Sequence, residues 1–242
     1  MKTIGLLGGM SWESTELYYR LINEETRRLL GGLHSAPIAM VSVDFKEIEQ
    51  LQEQGDWDAA ARLLSEEARR VEAAGAELLL ICTNTMHKVA DQVADAIGIP
   101  LLHIADATAV RVQESGIGTV GLLGTRFTME QQFYKGRLQE KGLGVLVPGE
   151  DDRNLVHRTI YDELCLGRVN PESRREFLRI IETLHERGAE AVIEGCTEIG
   201  LLVGQEHTSV PLFDTTRIHA HQAVAEALKQ GPLTTSPAPV SE

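Results

Sequence analysis

The sequence predicts an α/β fold made of two pseudo-symmetric, doubly wound parallel-sheet domains with the active site in the cleft between them. Three observations carry that expectation. Short apolar runs alternate with longer amphipathic stretches, the second half of the chain repeats landmarks of the first in the same order, and each half ends a strand on a cysteine followed by threonine.

The runs Ile4–Leu7, Ala39–Val43, Leu78–Ile81, Leu101–Ile104, Val120–Leu123 and Ala191–Ile193 are apolar apart from Ser42 and His103, without a sustained alternation. A strand that is apolar on both faces is buried on both, as in a parallel sheet covered by helices. The stretches between them have helical spacing. Asp58–Ala74 puts Ala61, Leu64, Ala68 and Val71 on one face, and Pro171–Arg187 does the same with Phe177, Ile180, Ile181 and Leu184. Strand and helix in alternation build βαβ units.

The repeat divides the chain in two. Ile4-Gly-Leu-Leu-Gly8 returns as Val120-Gly-Leu-Leu-Gly124. Gly75-Ala-Glu, an apolar run and Cys82-Thr83 return as Gly188-Ala-Glu, an apolar run and Cys196-Thr197. Ile99-Pro-Leu-Leu102 returns as Val210-Pro-Leu-Phe213. Three landmarks at nearly constant spacing mark two similar half-molecules. The expected domains are residues 1–98 with 209–230, and residues 99–208. The segment 231–242 holds three prolines among small polar residues and is expected to be a disordered tail.

Composition removes several function classes. With 23 Lys+Arg against 36 Asp+Glu the formal net charge is -13, which repels phosphate backbones and anionic lipid. No nucleic-acid or membrane partner is expected. The apolar run Ile4–Met10 is too short for a signal core, Glu13 follows it, and no stretch approaches the roughly 20 apolar residues of a membrane span. A cytoplasmic protein is expected, in which the three cysteines, none in a CxxC pattern, stay thiols. His87, His103, His219 and His221 show no convergent ligand spacing, and His219 and His221, two apart on a helical stretch, face different directions. No metal is expected. The glycines of Gly5-Leu-Leu-Gly-Gly-Met-Ser11 fit neither a dinucleotide fingerprint nor a phosphate-binding loop. They read as a tight turn that brings Met10 and Ser11 to the cleft.

The chemistry lies in the repeated cysteines. Open α/β sheets bind ligands beyond the carboxyl ends of their strands. Cys82 sits there, before Thr83-Asn84-Thr85 and a helix expected from about Met86 to Ile97, whose exposed N–H groups and dipole favour a thiolate. Cys196 holds the equivalent place in the second half. A thiol on each side of one cleft suits a two-base racemisation, in which one thiolate removes the Cα proton and the opposite thiol delivers another to the other face. That proton is weakly acidic, so the developing enolate-like carboxylate needs preorganised donors, for which Thr83, Asn84, Thr85, Thr125 and Thr197 are suited. Cys165, in Glu163-Leu-Cys-Leu-Gly167, lies outside the repeat and reads as a small core hydrophobe. Lys88 reads equally as a cation near a thiol or as a solvated helix lysine, and Trp12 as core or cleft wall.

Gly8-Gly-Met-Ser-Trp-Glu-Ser-Thr15, Cys82-Thr-Asn-Thr-Met-His-Lys88, Leu123-Gly-Thr-Arg-Phe-Thr-Met129 and Gly195-Cys-Thr-Glu-Ile-Gly200 together resemble the aspartate/glutamate racemase family, most of all its broad-specificity amino-acid racemase branch. The resemblance implies two α/β domains, no pyridoxal phosphate or other cofactor, an amino-acid substrate and a homodimer. It maps Cys82 and Cys196 to the catalytic pair, and Thr83, Asn84, Thr85, Thr125 and Thr197 to substrate contacts. Cell-wall glutamate racemases resemble the chain less, since they carry His soon after the second cysteine where Glu198 stands here. Aspartate-specific relatives place an Arg near Gln52 and a Lys near Cys165 to pair with a distal carboxylate. Without that cation pair, Gln52 and Cys165 are the candidate side-chain contacts, and the pocket is expected to accept several amino acids. Arg126 is the residue most able to restore a cation. Two other readings fit the scaffold: a maleate-type cis–trans isomerase, whose paired cysteines add to an alkene carbon, and a non-catalytic amino-acid-binding protein. Deuterium incorporation at Cα separates the first from a racemase, and binding without turnover identifies the second.

Overall fold

In the computed structural model, which describes residues 1–229, the chain runs β1 (Ile4–Gly8), α1 (Trp12–Leu30), β2 (Ile38–Ser42), α2 (Phe45–Gln54), α3 (Trp57–Ala73), β3 (Leu78–Ile81), α4 (Ala90–Asp95) and α5 (Ile104–Glu114). The second half repeats the plan with β4 (Thr119–Gly124), α6 (Arg126–Glu130), α7 (Gln132–Glu140), β5 (Gly144–Leu146), α8 (Glu150–Asp162), α9 (Pro171–Glu186), β6 (Ala191–Gly195), α10 (Ile199–Leu202), β7 (Leu212–Asp214) and α11 (Thr215–Leu228). The tail expected from residue 231 lies outside the described residues.

Both sheets are parallel and share one strand order. The first runs β2-β1-β3 and the second β5-β4-β6-β7. In the place that β7 takes, the first sheet has a single parallel bridge between Leu79 and Leu101. The apolar run Leu101–Ile104 is therefore one bridge and not a strand, because His103 caps α5, its side chain accepting from Ala105 N–H, and the chain turns helical at Ile104. Counted by pairing, residues up to Leu102 go with the first sheet and Leu212–Asp214 with the second.

The last helix of each half stands on a different face from the middle helices. Leu7, Leu79 and Ile81 pack with Ile48, Leu64, Ala68 and Val71 of α2 and α3. Ile4, Leu6, Leu78 and Leu80 point the other way, against Tyr18 and Ile22 of α1 and Ala220, Ala223 and Val224 of α11. The C-terminal helix thus closes the first sheet, while α5 covers the second with α7 through Ile104, Ala109, Val112, Tyr134 and Leu138. Two chain crossings and this helix exchange tie the halves together. The predicted faces are those buried in α3 and α9.

Two glycines matter for the cleft. Gly9 has φ +89°, and a Cβ there would stand 2.2 Å from Val43 O. At Gly124 a Cβ would meet Gly195 O at 2.7 Å, so a bare backbone is needed where β4 and β6 end side by side.

Candidate active site

Cys82 directly follows β3, and its N–H donates to Leu7 O at 2.9 Å, which extends the pairing with β1 by one residue. Cys196 directly follows β6. Both are buried. The turn after Cys82 is a short 3-10 helix, Thr85–Val89, with α4 starting only at Ala90. The helix expected from about Met86 to Ile97 is present, but as a 3-10 turn that runs directly into α4 and ends at Asp95, so no long α-helix dipole serves Cys82. Burial pushes its thiol well up from the ordinary range. The Cys196 thiol is pushed up as well, by burial first and then by the neighbouring Glu198 carboxylate.

Hydrogen bonds interlock the two cysteine loops across the halves. Thr85 and Thr125 hydroxyls meet at 3.0 Å, joining the loop after β3 to the end of β4. Asn84 Nδ2 donates to Thr215 Oγ1 at 3.1 Å, and that hydroxyl donates to Glu194 O at 2.8 Å on β6. From the other side Ser11 Oγ donates to Glu198 Oε1 at 2.8 Å, and the Ser14 hydroxyl meets that of Thr197. Ser11, Asn84, Thr85, Thr125 and Thr197 are all buried, and Thr83 is half-buried. They converge at the carboxyl ends of β1, β3, β4 and β6. Met10 instead packs in the core of the first half with Leu7 and Ile48.

Glu198 has the densest connections. Its Oε2 accepts from Cys196 Sγ at 2.9 Å and from Thr197 Oγ1 at 2.6 Å, and its Oε1 accepts from Ser11 and from Ser14 Oγ at 3.2 Å. It is buried and, among the described residues, has no cationic partner. Sequence reasoning used Glu198 only to set one subgroup aside. The available signal was a carboxylate two residues from a cysteine inside an otherwise apolar and small-residue run.

A contact that the sequence did not disclose bridges α8 and α2. Tyr161 on α8 donates its O–H to Gln52 Oε1 at 2.9 Å, and Gln52 Nε2 donates to Met86 Sδ at 3.0 Å. Outside that contact lies a cleft of about 590 Å³ whose walls include Gln52, Tyr161, His157 and Arg126. Arg126 is exposed at this rim. Cys165 lies in a short 3-10 turn against the core of the second half and close enough to raise the Cys196 thiol further. It has no polar bond of its own among the described residues. Cys165→Ala is expected to keep activity within about threefold while costing about 1 kcal/mol of stability; initial rates and thermal melts check this.

His87 and His219 are committed to structure. His87 Nδ1 bonds Thr83 O at 2.7 Å while its Nε2 accepts from Ile104 N–H at 3.2 Å, and burial pushes its pKa down to about 3. His219 Nε2 bonds Leu102 O at 2.9 Å and its Nδ1 accepts from Tyr18 O–H at 2.8 Å; burial brings it down to about 4. Among the described residues no three His, Cys, Asp or Glu side chains group as a metal site. Lys88 lies 3.8 Å over the Trp57 ring, so its charge faces an aromatic wall and not a thiol. Trp12 is exposed, on the wall of a smaller groove of about 370 Å³ with Leu17, Thr197 and Glu198.

The chain and its fold have relatives among known proteins. The family model described as Asp/Glu/Hydantoin racemase matches residues 7–223. The chain belongs to the Asp/Glu/hydantoin racemase family. It is 57% identical to a candidate Asp/Glu racemase from Yersinia pestis, whose crystal structure superposes with a TM-score of 0.88 over 95% of this chain and 100% of that one. An aspartate racemase homologue from Pyrococcus horikoshii is 36% identical, with a TM-score of 0.82 over 94% and 99%. The broad specificity amino-acid racemase RacX of Bacillus subtilis is 20% identical over 93% of this chain and 98% of its own length. The two-domain α/β racemase fold is thereby shown. The same fold occurs, at 14% identity and a TM-score of 0.51, in an arylmalonate decarboxylase, so fold alone does not fix the reaction. No helix among the described residues is long and apolar enough to cross a membrane.

Proposed function

We propose that this racemase-family protein is a cofactor-independent amino-acid racemase in which Cys82 and Cys196 exchange protons with opposite faces of the substrate Cα. One observation carries the reading: the two strand-end cysteines of the repeat belong to loops that are hydrogen-bonded to the facing half. A Cα held between the two sulfurs, each about 3–3.5 Å away, requires that interface to open. We assign Thr83, Asn84, Thr85, Thr125 and Thr197 to the substrate's ammonium and carboxylate, with their hydroxyl and amide donors stabilising the carboxylate's developing charge.

Substrate breadth follows from the rim. Gln52 and Tyr161 present neutral polar groups to a side chain, with Cys165 beside the second thiol and Arg126 at the outer edge. An exposed Arg126 is solvated and discriminates weakly. The enzyme is therefore expected to turn over several neutral and polar amino acids, with aspartate and glutamate favoured by less than a hundredfold. Catalytic efficiencies for a panel of L-amino acids, read by chiral chromatography, test this. A larger preference, more than about 2.7 kcal/mol in the transition state, contradicts the breadth but not the reaction. The same reading includes a homodimer, which light scattering of the full chain measures.

A further inference from the structure

The two halves are alike in backbone but not in acid–base equipment. Cys196 is bonded to a buried carboxylate at 2.9 Å; Cys82 has no side-chain hydrogen bond among the described residues. Both thiols lie where forming a thiolate is costly, since the charge is buried. A nearby base reduces that cost, because the proton need not leave the site and the local charge does not change.

We propose that Glu198 is a catalytic residue specific to one face of the reaction: it accepts the Cys196 proton and so makes Cys196 the resting base, while Cys82 rests as the acid. The inference depends on the two-cysteine reading. In the first step the Cys196 S–H bond breaks and an O–H bond forms on Glu198 Oε2. The thiolate then takes the α-proton, the C–H electron pair passes into the substrate carboxylate, and the Cys82 S–H proton is delivered to the opposite face. The site ends with Cys196 as thiol, Glu198 protonated and Cys82 as thiolate. Return of one proton from Glu198 to Cys82, through solvent after product leaves, restores the starting state.

The surroundings of Glu198 fit that task. The Ser11, Ser14 and Thr197 hydroxyls hold its two oxygens, so it stays placed when the thiol swings toward substrate. Those hydroxyls rotate, and when Oε2 gains the proton the Thr197 hydroxyl can turn from donor to acceptor while Ser11 and Ser14 go on donating to Oε1. A carboxylate kept only for structure would be expected to have a cation or backbone N–H groups as partners. Here every partner is a protic side chain, one of them the thiol itself.

Face-selective exchange tests this. In deuterated water Cys82→Ala leaves Cys196 as sole base and is expected to exchange the α-proton of one enantiomer; Cys196→Ala exchanges that of the other. Adding Glu198→Gln to Cys82→Ala should lower its exchange by a hundredfold or more, about the scale of a lost general base. Adding it to Cys196→Ala should leave exchange within about threefold. In the otherwise wild-type chain, Glu198→Gln should also move the acidic limb of kcat/KM to higher pH, since an isolated buried thiol then has to ionise. Equal loss on both faces, or none on either, overturns the assignment of Glu198. If neither cysteine variant exchanges any enantiomer, the two-cysteine reading itself fails.

Discussion

Cys82→Ala and Cys196→Ala are each expected to lower racemisation by about 10³-fold or more with the fold intact. Inversion needs a proton taken from one face and another given to the opposite face, so neither half-reaction alone completes it. General acid–base groups contribute about 10²–10⁴-fold each, and the variant also lacks any second thiol at the right side of Cα. Folding should survive, because each side chain is small and replaced by an apolar one at a buried site. The double variant should be no slower than either single one, as expected for groups that act as a unit. Racemisation within tenfold of wild type in either single variant would remove that cysteine from the mechanism.

Glu194→Gln is expected to stabilise the protein above neutral pH and to flatten its stability profile. Glu194 lies on β6, two residues before Cys196, with only 4% of its surface exposed, and its Oε1 has no hydrogen-bond partner among the described residues. Burial first, then Asp214 and Glu206, push its pKa up to about 8. The folded state therefore holds this proton more tightly than the unfolded chain, where a glutamic acid titrates near 4.3. Its contribution is fully present below that value and is lost as pH rises toward 8. The loss between pH 5 and 7.5 is roughly 3 kcal/mol, and the neutral amide removes it. Denaturant melts of both proteins at several pH values measure the difference. Parallel stability profiles would show that Glu194 is ionised in the fold.

The architecture was legible because a parallel sheet writes continuous apolar runs and the repeat writes them twice. The Leu78–Ile81 run is β3 as read, and the β4 and β6 runs were recognised to within one or two residues at their ends. Short edge elements were not legible. Gly144–Leu146 pairs over three residues, and Leu101 makes one bridge, lengths at which pattern carries little information. The helix after Cys82 covers nearly the residues its composition indicates, but its first turn is tightened to 3-10 geometry where His87 ties back to Thr83 O, which composition does not disclose. In the site, repetition pointed to the paired cysteines and the threonines beside them. It was blind to what differs between the halves: Glu198, Ser14 and Tyr161 have their meaning only through partners more than a hundred residues away, or through a turn that brings Glu198 back onto Cys196.

The most direct measurement of the central claim is the inversion of one L-amino acid in deuterated water by the full chain purified without added cofactor or metal. Chiral separation and mass spectrometry then read the isotope at Cα in each enantiomer at low conversion. Transfer between two thiols that exchange with solvent requires the D product to carry deuterium from its first appearance, with the remaining L substrate labelled more slowly. A D product that keeps its protium, or no D product from any of the common amino acids, would contradict the account.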